Sequence, residues 1–289
     1  MLMSVGYYDA VQDEAIGLLY ARLDDLCDRA ARGTVAISAF LTPREVMYAS
    51  RHLSSRIAAG TACLFGGFAY AERCRAVILP DYLEGMTDAD ALSADPVAAL
   101  EALGFSELAN EVQDAVTVLC IRGSGYRALT HRDYLGSVLG LGVERDAIGD
   151  VVVASEEETP TAYLVTDARM ADFLLTDLSR VASDAVKVSR LPAGATVSVE
   201  RRRAPIHDTV ASPRLDCVVA ALCNLSREAA QNAIRGGLVE LNYEPVADCD
   251  RTVEPPATLS VRGVGKFSVE AISGETRKGR IRLSAAKYL

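Results

Sequence analysis

The side chains in this sequence best suited to bind a ligand by charge are cations in its last third. Two arginines stand near the predicted starts of helices, a third near a helix end, and a lysine in a predicted hairpin. Two more alternate with Ile281 and Leu283 along the last predicted strand, which sends them to its outer face. Cations beside helix N-termini can bind phosphate groups, although scattered solvated arginines explain the charge alone more simply. These cations are Arg214, Arg227, Arg235, Lys266, Arg280 and Arg282.

Two short helices must position most of these cations. Ser212-Pro213 predicts the start of the first, with a capping hydroxyl and a proline in the first turn. Asp216 adds a negative charge near the positive end of the helix dipole. Ser226 predicts the cap of the second helix, which runs through Arg235 and stops at a glycine pair. Strands are then predicted at 238–243, 258–262, 267–272 and 280–283.

Charge is distributed unevenly along the 289 residues. The net charge is −9, which by itself argues against a nucleic-acid partner because phosphate binding needs positive surface. Residues 200–289 nevertheless hold 14 Lys and Arg against 11 Asp and Glu, a net of +3, which leaves −12 for residues 1–199. This asymmetry predicts two parts with different roles.

The middle of the chain predicts a β-α-β-β-α-β order, which is typical of a ferredoxin-like or RRM-like sheet packed by two helices. Tyr163 is the only aromatic residue in these strands, so we expect no base stacking if this lobe touches RNA. The predicted strands are 116–121, 150–154, 162–165 and 185–189, and the predicted helices are 130–141 and 168–181.

The region before residue 113 predicts mixed α and β structure. Apolar residues recur at helical spacing within the first fifty residues, and Thr42 can cap a second helix from Pro43 to Ala58. Two apolar runs, 62–68 and 76–79, predict strands, and one short helix is predicted at 97–103 within an acidic stretch.

These patterns predict an α+β protein. We expect an N-terminal α/β region at 1–112, an RRM-like lobe at 113–195 and a C-terminal domain at 205–289. The connection between the last two holds a short predicted strand, Thr196–Arg203, with a basic triplet at 201–203 that either binds phosphate or is simply solvated.

Three short segments resemble enzyme motifs, but none of them has the sequence context that the corresponding active site needs. Residues 123–128 fit G-x-G-x-x-A between a strand and a helix, but a β-α-β-β-α-β lobe lacks the parallel sheet that a dinucleotide needs. Ser124 is not in a G-x-S-x-G elbow, because arginine and tyrosine occupy the outer positions. His131-Arg132-Asp133 is not accompanied by the other kinase motifs. We therefore expect no catalytic residue.

Seven cysteines form an odd set without a C-x-x-C pair, which predicts buried reduced thiols and no metal site. The N-terminus does not resemble a secretory leader, and the longest apolar run, Cys217–Cys223, is too short to span a bilayer. We expect a cytoplasmic protein with no membrane partner, no cofactor and no small-molecule substrate.

Five C-terminal segments resemble, in order and spacing, the motifs of the S4 RNA-binding domain. The resemblance implies two helices packed on a small sheet, with the helix face and an adjoining loop binding structured RNA such as ribosomal RNA or tRNA. Position by position, it implies contacts by Arg214, Ser226, Arg227, Gln231, Arg235 and Lys266. The segments are Ser212–Asp216, Asn224–Arg227, Ala230–Arg235, Gly236–Asn242 and Val261–Phe267.

Upstream segments are similar to the YlmH family of bacterial S4-domain proteins, and the likeness runs from about Pro43 to the C-terminus. It implies a non-catalytic protein encoded among cell-division genes that binds RNA on the large ribosomal subunit, on stalled complexes still holding tRNA, in ribosome-associated quality control. Glu144 and Asp146 flank Arg145 where relatives are often more basic, a departure that weighs against RNA contact by the middle lobe. The segments are Phe65–Phe68, Ala71–Arg73, Arg75–Tyr82, Leu129–Gly136, Leu139–Gly142, Arg145 and Ile148–Asp150.

Two other functions remain compatible with the sequence. An S4 domain also occurs attached to pseudouridine synthases and tyrosyl-tRNA synthetases, so an RNA-modifying enzyme carrying such a domain is one alternative. A protein-interaction adaptor linked to cell division is the other, and it rests on the acidic N-terminal region.

Overall fold

The computed structural model describes residues 3–154, 159–191, 203–276 and 279–288, with side chains described from Glu14 onward. The chain divides into two compact units, Met1–Val199 and Glu200–Leu289. No helix in the described ranges is both long and apolar enough to cross a membrane.

The first unit opens with a three-stranded antiparallel sheet between two layers of helices, in the strand order β1-β3-β2. Alternation along β3 explains the two layers, because Ala76 and Ile78 pack with α1 to α3 whereas Val77 and Leu79 pack with α4 to α6. The elements are α1 (Met3–Ala30), β1 (Ala36–Ile37), α2 (Pro43–His52), α3 (Ser54–Ala58), β2 (Ala62–Phe65), β3 (Arg75–Ile78), α4 (Ala89–Ala94), α5 (Pro96–Ala102) and α6 (Ser106–Ala115).

This region confirms the predicted cap at Thr42 and corrects two other expectations. Thr42 and Glu45 form a reciprocal capping box at the start of α2. The single helix predicted from Pro43 to Ala58 is wrong, because it breaks at Leu53 into α2 and α3. Helices α4 and α6 were not predicted; Asp88 caps the first of them.

A five-stranded antiparallel sheet completes the first unit, in the order β5-β6-β4-β8-β7. Helices α7 and α8 cover one face, where Ile121, Leu164, Tyr134 and Leu174 are fully buried. The elements predicted in the order β-α-β-β-α-β are all present, but α8 ends before residue 181 and a short strand follows it. The elements are β4 (Thr117–Gly123), α7 (His131–Gly140), β5 (Ile148–Ala154), β6 (Thr161–Thr166), α8 (Ala168–Asp177), β7 (Arg180–Val181) and β8 (Asp184–Arg190).

The second unit is a six-stranded antiparallel sheet with two helices on one face, in the strand order β11-β10-β12-β13-β14-β9. Helix residues such as Val218 and Ile234 pack on Phe267 and Leu283 of the sheet. The elements are β9 (Arg203–Val210), α9 (Leu215–Cys223), α10 (Arg227–Arg235), β10 (Val239–Leu241), β11 (Glu244–Pro245), β12 (Ala257–Val261), β13 (Gly265–Glu275) and β14 (Ile281–Tyr288).

Strand β9 lies almost entirely outside the predicted strands. Residues 204–210 were not predicted to form a strand, but they pair antiparallel with residues 281–287 of β14. A strand was also predicted at Thr196–Arg203, but residues 196–202 lie outside the described residues. Of the basic triplet at 201–203, only Arg203 is described. Its side chain is exposed, and its Nη1 lies 3.8 Å from Oε1 of Glu270.

The start of α9 also differs from its prediction. Ser212 does not cap the helix, which begins at Leu215 without a side-chain cap. The backbone N–H groups of Leu215 and Asp216 donate instead to the carbonyls of Arg251 and Cys249, at 2.8 and 3.1 Å. These carbonyls already accept hydrogen bonds from the first backbone N–H groups of the helix. A capping hydroxyl is therefore not needed to accept them.

Candidate nucleic-acid interface

A buried carboxylate, Asp216 in the first turn of α9, gathers several of the predicted contact residues around it. Its side chain is fully buried. Arg214 donates to its Oδ1 from Nε at 3.2 Å and to its Oδ2 from Nη2 at 3.1 Å. Arg227 Nε and Gln231 Nε2, both from α10, donate to Oδ2 at 3.0 and 2.7 Å. We call this arrangement the Asp216 hub; it joins the first turns of the two helices.

The carboxylate of Asp216 carries a negative charge at neutral pH. Burial alone would raise the pKa of Asp216, but the hydrogen bonds from Arg214, Gln231 and Arg227 outweigh it and hold the pKa well below its usual range. Arg214 is also ion-paired with Asp250. Two carboxylates therefore compensate the charge of Arg214, whereas Arg227 keeps more of its charge available.

The exposed side of α10 carries the remaining positive charge. Arg227, Gln231 and Arg235 follow one another at four-residue intervals and so share one face of the helix. Within the described residues, the terminal nitrogens of Arg227 have no protein partner, and the exposed side chain of Arg235 has none either. We call these three residues with Arg214 the helix ridge.

Ser226 contributes to the ridge by shaping the helix. Its hydroxyl accepts from the backbone N–H of Ala229 at 3.1 Å, as predicted for the N-cap of α10. The cap fixes where the helix begins and hence where Arg227 lies. The N-terminal end of α10, which attracts anions, is thereby placed beside an exposed guanidinium.

The other predicted cations lie on the opposite face of the sheet. Phe267 and Leu283 point to the helices, so alternation turns their neighbours Lys266 and Arg282 to the outer face. Arg280 precedes β14 and donates to the hydroxyl and carbonyl oxygens of Thr209. The eight predicted residues therefore do not form one surface, because the sheet separates this outer set from the helix ridge.

Lys266 is held between two aromatic rings. Its Nζ lies 4.7 Å from the ring centre of Tyr243 and 5.5 Å from that of Tyr288. Cation–π contacts of this kind orient the ammonium group while keeping its charge.

A groove of about 690 Å³ lies on the second unit between the end of α10 and the β12–β13 turn. Arg262 and Lys266 supply its positive charge, and Leu238 and Val264 supply partly exposed apolar surface. Arg262 was absent from the predicted contacts, although the run Arg262-Gly-Val-Gly-Lys266 was visible in the sequence. The Asp216 hub was also missed, since nothing in the spacing shows that α9 and α10 meet at this carboxylate.

The glycine-rich loop after β4 is part of the packing of the five-stranded sheet. Both neighbours of β4 run antiparallel to it, so the glycine-rich loop after β4 does not open a parallel nucleotide-binding sheet. The Ser124 hydroxyl donates to Asp184, and its backbone N–H donates to the same carboxylate at 3.0 Å, which fastens this loop to the start of β8. In the described part of the chain, no group of His, Cys, Asp and Glu residues is arranged to hold a metal.

Comparison with known proteins gives three findings. Residues 116–194 match the family described as "Putative RNA-binding domain in YlmH". The "Ribosome-associated protein quality control protein P2" of Bacillus subtilis is 30% identical over 249 residues, covering 85% of this chain and 84% of the relative. A solved structure, "Cell division protein ylmH from Streptococcus pneumoniae", is 15% identical, with a TM-score of 0.41 over 64% of this chain and 92% of that chain.

Proposed function

The chain belongs to the YlmH family, and we propose that it is a non-catalytic protein that binds structured RNA through its C-terminal unit. In this proposal residues 205–289 act as an S4 domain, and the helix ridge contacts RNA phosphates. The Asp216 hub is the observation that carries the proposal. It holds Arg227 and Gln231 in fixed positions while the outer end of Arg227 stays exposed.

Pre-organisation of this kind favours shape recognition. A guanidinium already held by a buried carboxylate loses little side-chain freedom when it meets a phosphate. RNA duplexes are read mainly through their backbone and shape, which suits a fixed row of cations better than a stacking platform. The protein's net charge of −9 adds long-range repulsion, so close contacts at the ridge must supply the affinity.

The partner we propose is the large ribosomal subunit, in particular a stalled complex that still holds tRNA. Support comes from the Bacillus subtilis relative, whose name describes a ribosome-associated quality control protein. We further propose that residues 113–195 form an RRM-like lobe, consistent with the family matched at 116–194, and that the protein acts in the cytoplasm.

Sedimentation of the full-length protein tests this proposal. We expect it to co-sediment with large ribosomal subunits at near-physiological salt, and Arg227→Glu with Arg235→Glu to release it. Arg32→Glu with Arg51→Glu is the matched control, because both arginines are exposed on the first unit and lie outside the matched range 116–194. If the wild-type protein stays unbound even when stalled, tRNA-bearing large subunits are supplied, the ribosomal proposal is wrong and the adaptor alternative gains.

A second measurement separates binding from catalysis. Nucleoside analysis of RNA from cells with and without the protein should give the same set of modified bases. A modified base that appears only with the protein would favour the enzyme alternative.

A further inference from the structure

A cavity of about 440 Å³ lies in the first unit, away from the helix ridge. Its lining includes the apolar side chains of Leu19, Leu23 and Leu26 of α1. Residues 73 and 145–146 also line it, so the cavity lies between α1 and the loop before β5. Its volume lies within the range of small-molecule sites in proteins.

Two guanidinium groups, of Arg73 and Arg145, line this cavity and are held by backbone carbonyls. Arg73, only 7% exposed, donates to the carbonyls of Ile148, Phe40 and Arg145 at 3.0 to 3.2 Å. Arg145 donates from Nη1 to the carbonyls of Ile148 and Gly149 at 2.7 and 3.0 Å. Neither guanidinium has an ion-pair partner among the residues that the structure describes.

The positive charges of Arg73 and Arg145 repel each other inside the protein. Burial lowers the pKa of Arg73. Burial lowers the pKa of Arg145 to about 10, and the charge of Arg73 contributes to that shift. Both side chains remain protonated at neutral pH. Two adjacent, partly desolvated cations are costly unless an anion lies close to them.

Nearby carboxylates offset these two charges only in part, because none of those described forms an ion pair with either guanidinium. Glu45 accepts from Thr42 and is ion-paired with Arg22. Asp25 and Asp146 are exposed at the rim, where water screens them. The carboxylate of Asp150 accepts the backbone N–H groups of residues 72 and 73, at 2.6 and 3.2 Å, and its charge raises the pKa values of Arg73 and Arg145 against the effect of burial.

We propose that this cavity binds a phosphate-bearing ligand of mononucleotide size, with the phosphate on the two guanidiniums of Arg73 and Arg145. Guanidinium groups match phosphate oxygens in geometry and charge. The leucine side chains of α1 then cover the apolar or planar body of the ligand. The same chemistry is offered by a free nucleotide and by the 5′-phosphorylated end of an RNA.

Isothermal titration calorimetry of the full-length protein with the four nucleoside 5′-monophosphates tests the proposal. At least one should bind saturably at one site per chain, and the matching nucleoside without phosphate should bind at least about tenfold more weakly. Arg145→Met should weaken nucleotide binding at least about tenfold. Ala39→Trp should also block binding, because Ala39 is an exposed lining residue whose replacement removes no hydrogen bond. Arg132→Met is the control and should bind as the wild type does.

Saturable binding by none of the four nucleotides would overturn the proposal, and so would wild-type affinity in both Arg145→Met and Ala39→Trp. RNA oligonucleotides with and without a 5′-phosphate then identify the source. A 5′-phosphate preference that disappears in Arg145→Met indicates an RNA end, whereas nucleotide binding without this preference indicates a free nucleotide. Both measurements are independent of the ridge, since Arg227→Glu with Arg235→Glu should leave nucleotide binding unchanged.

Discussion

Arg227 donates from Nε to the buried Oδ2 of Asp216 at 3.0 Å, and this bond fixes the first turn of α10 to the first turn of α9. The arginine therefore has two roles that use different nitrogens. Its inner edge satisfies a buried carboxylate, and its outer edge is exposed. The hub thus couples the stability of the second unit to the position of a charge on its surface.

Replacing the hub carboxylate should destabilise the second unit. Asp216→Asn keeps the size of the side chain but leaves the donors of Arg214, Arg227 and Gln231 without a charged acceptor. We expect the free energy of unfolding to fall by about 2 kcal/mol, less than for a fully buried ion pair because both arginines are partly exposed. Urea denaturation measures this change. Glu254→Gln, at an exposed carboxylate, is the control, and an equal loss there would argue against the hub.

The same carboxylate predicts a pH dependence. The folded-state pKa of Asp216 is depressed, so its contribution to stability is fully present above the unfolded-state pKa of about 3.9 and is lost as pH falls through the folded-state pKa. The stability difference between wild type and Asp216→Asn should therefore be constant from pH 7 to about 5 and shrink below about pH 4. Denaturation series at several pH values measure it; a difference that stays constant down to the lowest pH at which the protein folds would contradict the assignment.

Salt dependence should distinguish the two sets of predicted cations. Removing Arg227 and Arg235 by substitution with Gln should reduce the slope of log affinity against log salt by up to about 0.7 to 0.9 per lost phosphate contact. Arg280→Gln with Arg282→Gln removes the same charge from the outer face and should change the slope less. Filter binding with structured RNA at several salt concentrations measures both slopes. A larger effect of the outer pair would move the RNA to the opposite face of the sheet.

Local signals explain which elements could be predicted from the sequence. Thr42 and Ser226 were identified as caps because a hydroxyl followed by helical spacing is a short-range pattern. The strands and helices of the five-stranded sheet, except β7, were likewise found from their hydrophobic periodicity. The helix at residues 106–115 was not predicted, because these residues are largely polar and acidic and only two of them, Ala109 and Val112, are buried.

Long-range contacts explain what could not be predicted. Asp216 was interpreted through the helix dipole, a local effect, although its partners include residues eleven and fifteen positions away. The cavity beside Arg73 depends on carbonyls more than thirty positions away along the chain. Hydrophobic periodicity and residue spacing do not predict these long-range hydrogen bonds, because the bonds form only when separate elements pack together.

The division of the chain gives a last prediction. A fragment of residues 200–289 should fold and bind structured RNA, and residues 1–199, with their net charge of −12, should bind it much more weakly. The fragment must keep β9, because this strand covers the edge of β14 along its whole length and adds Ile206 and Val210 to the core.

Starting the fragment at residue 211 should therefore lower its free energy of unfolding by at least about 2 kcal/mol, or roughly 10 °C in Tm for a domain of this size. Circular dichroism during heating measures the loss, and gel-shift titration measures RNA binding. Equal Tm values for the two fragments would show that β9 is dispensable, and equal RNA affinity of residues 1–199 and 200–289 would overturn the proposed division of roles.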